Sequence, residues 1–168
     1  MDIASISALV AAGGVLVGVA FAYLEVRNLA KQRETDVETR QAELFMQIYS
    51  HYYKEDFLSD ENQILYQWKW KDFDDFWKKY GPETNPESFS KWDSMGTYFR
   101  GIGVLVKRKL IDPALVDELM GTSIKLNWEK SGSIVLEFRK RLWPDAYKGF
   151  EYLYNEMLKR EQTLPAHQ

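Results

Sequence analysis

Residues 86–110 read PESFSKWDSMGTYFRGIGVLVKRKL, and Phe89, Trp92, Gly96, Phe99, Gly103, Val106 and Leu110 recur in them at alternating steps of three and four. That period marks one buried face of an α-helix. Asn85 and Pro86 supply the start signal, since an Asn side chain accepts from a first-turn amide and proline fits the first helical position. Downstream, Asp112 and Pro113 repeat the signal for a short helix expected to end at Gly121. Ile124, Trp128, Ser131, Val135, Phe138 and Leu142 then mark a second long helix, and Pro144 separates it from a last one carrying Phe150, Leu153, Tyr154 and Met157. Upstream, Asp60 is expected to cap a segment with Ile64, Leu65 and Trp68. Asp72 is expected to cap another with Phe73, Phe76, Trp77 and Tyr80, closed by Gly81 and Pro82. No stretch alternates with a period of two between hairpin turns. The pattern predicts an all-α fold, with residues 44–161 forming a helical bundle and 162–168 a disordered tail.

Ahead of the bundle, residues 3–24 (IASISALVAAGGVLVGVAFAYL) carry no charge. A helix of that length rises roughly 33 Å, enough to cross the hydrocarbon layer. Residues 1–25 are therefore expected to form a single-pass transmembrane anchor. A secretory signal would favour a basic start, whereas only Asp2 precedes this run, so retention is the better reading; Ala20-Phe21-Ala22 keeps cleavage open as the alternative. Arg27, Lys31 and Arg33 follow the span, which by the positive-inside bias puts the N-terminus outside and the bundle in the cytoplasm. Ala4, Ala8, Ala11, Gly14, Gly18 and Ala22 line one stripe of the span, where small residues let a second helix come close. The expected partner there is another copy of the chain or another membrane subunit. Residues 26–43 are charged and free of Pro and Gly, and are expected to continue the helix as a stalk.

Composition narrows the chemistry. The 168 residues include no cysteine, which excludes disulfides, thiolate metal sites and a cysteine nucleophile. A net charge of -3 leaves no global positive field for nucleic acid. Of the two histidines, His167 lies in the tail and His51 stands alone, four residues before Glu55, which makes two metal ligands at most. Gly101-Ile102-Gly103 lacks a third glycine and follows no strand, so it is not a phosphate loop. No cofactor site is expected. Acid clusters at Glu55, Asp56, Asp60 and Glu61 and at Asp72, Asp74 and Asp75 lie near expected helix ends, where they complement the dipole. Gly96, Gly103, Ser131 and Gly132 sit inside the two long stripes, where close approach of those helices would offset the helix-weakening effect of glycine.

Two sets of residues stand out for binding. The triplets Lys107-Arg108-Lys109 and Arg139-Lys140-Arg141 sit at expected helix C-termini, where cations suit the dipole; they are also candidates for contact with an anionic leaflet. Trp92, Phe99, Trp128 and Phe138 are candidates for an aromatic-lined pocket, with Glu129 and Arg139 as an internal ion pair.

Asp72-Phe73 with Phe76, Tyr80 and Gly81, the run Tyr98 to Asp112 (YFRGIGVLVKRKLID), Trp128-Glu129, and Phe150-Glu151-Tyr152-Leu153 together resemble the domain-of-unknown-function family DUF4760. The order and spacing match over residues 44–158. The resemblance implies a small prokaryotic membrane-anchored helical protein and carries no activity, ligand or catalytic residue. Lys109 departs from the family pattern, which has glycine there, and so bears on the turn before Leu110. The leading expectation is an interaction or scaffolding subunit at the cytoplasmic face of the membrane; the alternative is a small-molecule or lipid-binding bundle, with or without enzymatic activity.

Overall fold

The computed structural model describes the backbone of residues 3–163 and the side chains of residues 18–162. Among the described residues every regular element is helical. The order is α1 (Ile3–Tyr52), α2 (Glu55–Asn62), a π-helical turn (Gln63–Gln67), α3 (Phe73–Tyr80), α4 (Pro86–Lys107), α5 (Pro113–Arg141) and α6 (Lys148–Thr163). The chain divides into two units, residues 1–40 and 41–168. In the first, the described side chains of α1 are exposed, Val19, Phe21, Tyr23, Leu24, Val26, Leu29 and Val37 among them. Among the described residues no helix is long and apolar enough to cross a membrane. The expected span at 3–24 falls mostly on residues 3–17, whose side chains lie outside the described residues.

The second unit follows its start signals closely. Asp72 accepts from the amide of Asp75 at 2.9 Å to open α3, and Asn85 accepts from the amide of Ser88 at 3.1 Å to open α4. Asp112 accepts from the amide of Ala114 at 2.8 Å to open α5. Phe45, Phe76, Phe99, Ile124 and Leu153 are fully buried, so α1, α3, α4, α5 and α6 all contribute to one core.

Two expected boundaries are corrected. Asp60 caps nothing: α2 already begins after the extended Lys54, and the Asp60 carboxylate instead takes the Lys91 ammonium at 2.9 Å. Nor does a helix end at Gly121, because α5 runs unbroken for 29 residues. Val116, Met120, Ile124, Trp128, Val135 and Phe138 keep one buried stripe going through that point. Burial of each such side chain outweighs the roughly 1 kcal/mol that one glycine takes from a helix. Glycine at 121 also leaves the Asp117 carboxylate where it is, since a Cβ there would collide with it.

The small residues do make close contacts: Ser131 meets the other long helix, as the two stripes suggested, whereas the glycines meet other partners. Ser131 on α5 accepts from the Trp92 indole on α4 at 3.2 Å. Gly96 faces the Tyr147 ring, which a Cβ would meet at 2.7 Å, and Gly132 lies under the ring of Trp128 from its own helix. Gly103 packs against α6 rather than α5: a Cβ there would collide with the carbonyl of Gly149, and one on Gly149 would sit 2.5 Å from the carbonyl of Arg100.

α4 ends in a Schellman turn. The amide of Leu110 reaches the carbonyl of Leu105 at 2.9 Å, and that of Lys109 reaches Val106 at 2.9 Å. Lys109 occupies the left-handed position, at φ 58°, where glycine has no steric penalty. Lys109→Gly is accordingly expected to stabilise the bundle by about 0.5–1 kcal/mol, the relief exceeding the added freedom of the unfolded chain. Thermal melting of the full chain in mild detergent measures it as a rise of roughly 2–4 °C per kcal/mol.

Candidate functional site

Most of the side chains picked out for a pocket fill the core instead. Trp92, Phe99, Trp128 and Phe138 are buried against one another and their neighbours: Phe99 stacks on Phe150 at 5.0 Å, Trp128 meets Phe150 edge-on at 5.1 Å, and Trp92 meets Phe138 at 6.1 Å. The void beside Trp92 is 10 Å³, no more than about one water. Glu129 and Arg139 form no pair. Ten residues separate them by about 15 Å along the helix axis and turn them to different faces. Glu129 is exposed, whereas the Arg139 guanidinium is held by the Ala146 carbonyl at 2.6 Å and by the Glu151 carboxylate.

The basic triplets separate in the same way. Lys140 pairs with Glu137 at 2.6 Å, and Arg141 pairs with Asp74 at 2.5 Å and lies over the Phe73 ring at 4.7 Å. The charges of Arg139, Lys140 and Arg141 are thus matched by carboxylates of the same bundle. Lys107, Arg108 and Lys109 are exposed and, among the described residues, form no ion pair; Lys107 lies over the Tyr152 ring at 5.6 Å. On the small-residue stripe, Ala4, Ala8, Ala11 and Gly14 lie outside the described residues, while Gly18 and Ala22 are exposed, with open space around Gly18. His51 is exposed and packs its ring edge-on to Phe57 at 5.6 Å. Among the described residues no three His, Asp or Glu side chains gather to hold a metal.

Two polar constellations escaped the sequence reading. The first is buried. Glu61, 5% exposed, accepts from the Tyr52 hydroxyl at 3.1 Å and from the Asn127 amide at 2.6 Å. The same amide reaches the Ser123 carbonyl at 2.9 Å, and the Tyr52 and Ser123 hydroxyls share a hydrogen bond of 2.5 Å. The π-helical turn directly follows α2 and buries Ile64 next to this cluster. Burial pushes the Tyr52 hydroxyl up to about 12, the bond from Ser123 opposing and the Glu61 charge adding to it. Tyr52 is thus a neutral donor at physiological pH. Tyr98, which donates to the Ile48 carbonyl at 2.9 Å, is also pushed up by burial. With so little free volume beside it, this cluster ties α1 and α2 to α5 and has no room for a substrate.

The second constellation is open. Asp93, Thr97 and Arg100 share one face of α4 and, with Trp143, Asp145 and Tyr147 from the α5–α6 connection, line a cleft of 290 Å³. Tyr147 stands in the left-handed region at φ 53° although it is not glycine. Its hydroxyl donates to the Asp93 carboxylate, and its ring meets Trp92 edge-on at 5.4 Å above Gly96. Burial, reinforced by Asp93, pushes the Tyr147 hydroxyl well above the usual range. Trp143 is 66% exposed at the mouth. The visible signal was Trp143 beside Pro144 in a connection; the conformation of Tyr147 has no sequence signal, since it is imposed by the hollow at Gly96.

No curated protein and no solved structure matches the chain. One family does, that described as Domain of unknown function (DUF4760), over residues 8–157. With the greater part of its length matched, the chain belongs to that family.

Proposed function

We propose that the chain is a single-pass membrane protein whose bundle, on the cytoplasmic side, serves as an interaction or scaffolding subunit. The observation that carries this is the first unit. Val19 at 63%, Phe21 at 69% and Leu24 at 52% stand exposed on α1, at the end of a run without a single charged side chain from residue 3 onward. In water that surface is unfavourable by about 25 cal/mol for each Å² of apolar area, while in a bilayer it is solvated. Arg27, Lys31 and Arg33 then follow at the side expected to face the cytoplasm. Support for an interaction role comes from the bundle, whose interior is filled by its own aromatic side chains. The partner is a second copy or another membrane subunit, approached through the stripe that includes Gly18 and Ala22.

The chain has no native cysteine, so single substitutions report position without background. In sealed cells, a cysteine at Ser5 is expected to react with an impermeant maleimide, and one at Arg108 only after the membrane is opened. Alkaline carbonate is expected to leave the intact chain in the membrane. Release by carbonate, or labelling of both positions in sealed cells, would overturn the anchor and its orientation. Crosslinking through cysteines at Gly14, Leu16 and Gly18 tests the interface: equal yields at all three would count against a defined helix partner.

A further inference from the structure

We propose that the cleft between α4 and the α5–α6 connection binds a small planar molecule bearing one carboxylate, such as an aryl acetate. The argument begins with Arg100. Arg100 lines the cleft and, among the described residues, its side chain forms no ion pair and no hydrogen bond. An arginine fork with open donors on the wall of a cleft fits a carboxylate in two-pronged fashion. Asp93, seven residues earlier and about 10 Å away along the axis, is already engaged by the Tyr147 hydroxyl. Asp145, also on the wall, is engaged by Lys148. Of the three charged groups on the wall, Arg100 is the one with no partner among the described residues, whereas each carboxylate already has a donor.

The size and the walls narrow the ligand further. A volume of 290 Å³ lies at the small end of ligand sites, which run from about 300 to 1,000 Å³. Trp143 offers an exposed ring face at the mouth, and Phe138 and Pro144 add apolar wall, so a flat apolar body is matched. Two carboxylates on the rim disfavour a doubly charged phosphate more than a singly charged acid. The floor is also rigid beforehand. Tyr147 is fixed at both ends, by Asp93 on its hydroxyl and by the hollow over Gly96 under its ring, so binding orders little new. A non-glycine residue held in the left-handed region by such over-determined contacts is the kind of strain found at ligand clamps.

The test uses the full chain in lipid nanodiscs and three probes of one shape: indole-3-acetate, its neutral amide, and tryptamine. Saturable binding of indole-3-acetate by calorimetry is expected, with the amide and tryptamine weaker. Arg100→Ala is expected to weaken indole-3-acetate about tenfold or more, the worth of a charge-assisted hydrogen bond, and Arg100→Lys to recover part of it. Trp143→Ala should weaken it several-fold. Arg100 and Trp143 are both exposed, so thermal melting of these variants is expected to match the parent and keeps the binding result separate from folding. Absence of saturation, unchanged binding in Arg100→Ala, or tryptamine binding as tightly as the acid would each overturn the proposal.

Discussion

Gly103→Ala is expected to lower the stability of the bundle by about 3 kcal/mol, although alanine is the better helix former by roughly 1 kcal/mol. The added methyl would meet the carbonyl of Gly149, a backbone atom that cannot rotate aside, and its next neighbour would be Leu153 at 3.1 Å. Relief requires α6 to move away from α4, which loosens Phe150 and Leu153 in the core. Gly101 is the internal control. Two residues earlier on the same helix, it has nothing within 4 Å of the place a Cβ would take, so Gly101→Ala is expected to stabilise by up to about 1 kcal/mol. Thermal melting of the full chain in mild detergent should move the two variants in opposite directions. A Gly103→Ala protein that melts with or above the parent would show that the helices are not in backbone contact.

Asn127→Leu should be comparably damaging, at about 3 kcal/mol, because it strips the buried Glu61 carboxyl group of one of its two side-chain donors. Leucine has as many side-chain heavy atoms as asparagine and a larger volume, so lost volume is not the cause. The second half of the prediction is non-additive. Adding Glu61→Leu removes the polar group that had been stranded, and Tyr52 keeps its bond to Ser123, so the double variant is expected to be more stable than Asn127→Leu alone. Melting temperatures of the two variants decide it; a double variant that falls further than the single one would mean that the cluster acts as separate, independent bonds.

What the sequence made legible follows from the range of the forces involved. Helix starts depend on neighbours two or three residues away, and Asp72, Asn85 and Asp112 accept the amides that their positions predict. The buried face of α4 is likewise written at local spacing. Gly121 misled because a glycine stops a helix only where burial does not continue past it, and burial is a property of the whole bundle. Glu129 and Arg139 misled because they share a helix without sharing a face. The Glu61 cluster joins residues 52, 61, 123 and 127 from three helices, and the open cleft joins 93–100 to 143–147; no periodicity connects such positions before the chain has folded. The left-handed residue at 109 is another feature that periodicity does not reveal, since the stripe of α4 runs on to Leu110 without marking the turn.

The two left-handed residues leave the chain unequal freedom to drift. At position 109 the side chain projects into solvent and the turn is held by main-chain bonds, so a single substitution to glycine could relax the strain and disturb nothing else. At 147 the same exchange would relax the backbone while emptying the hollow above Gly96 and leaving Asp93 without its phenol. Strain of the first kind is easily lost from a lineage; strain of the second is inherited together with the residues that surround it.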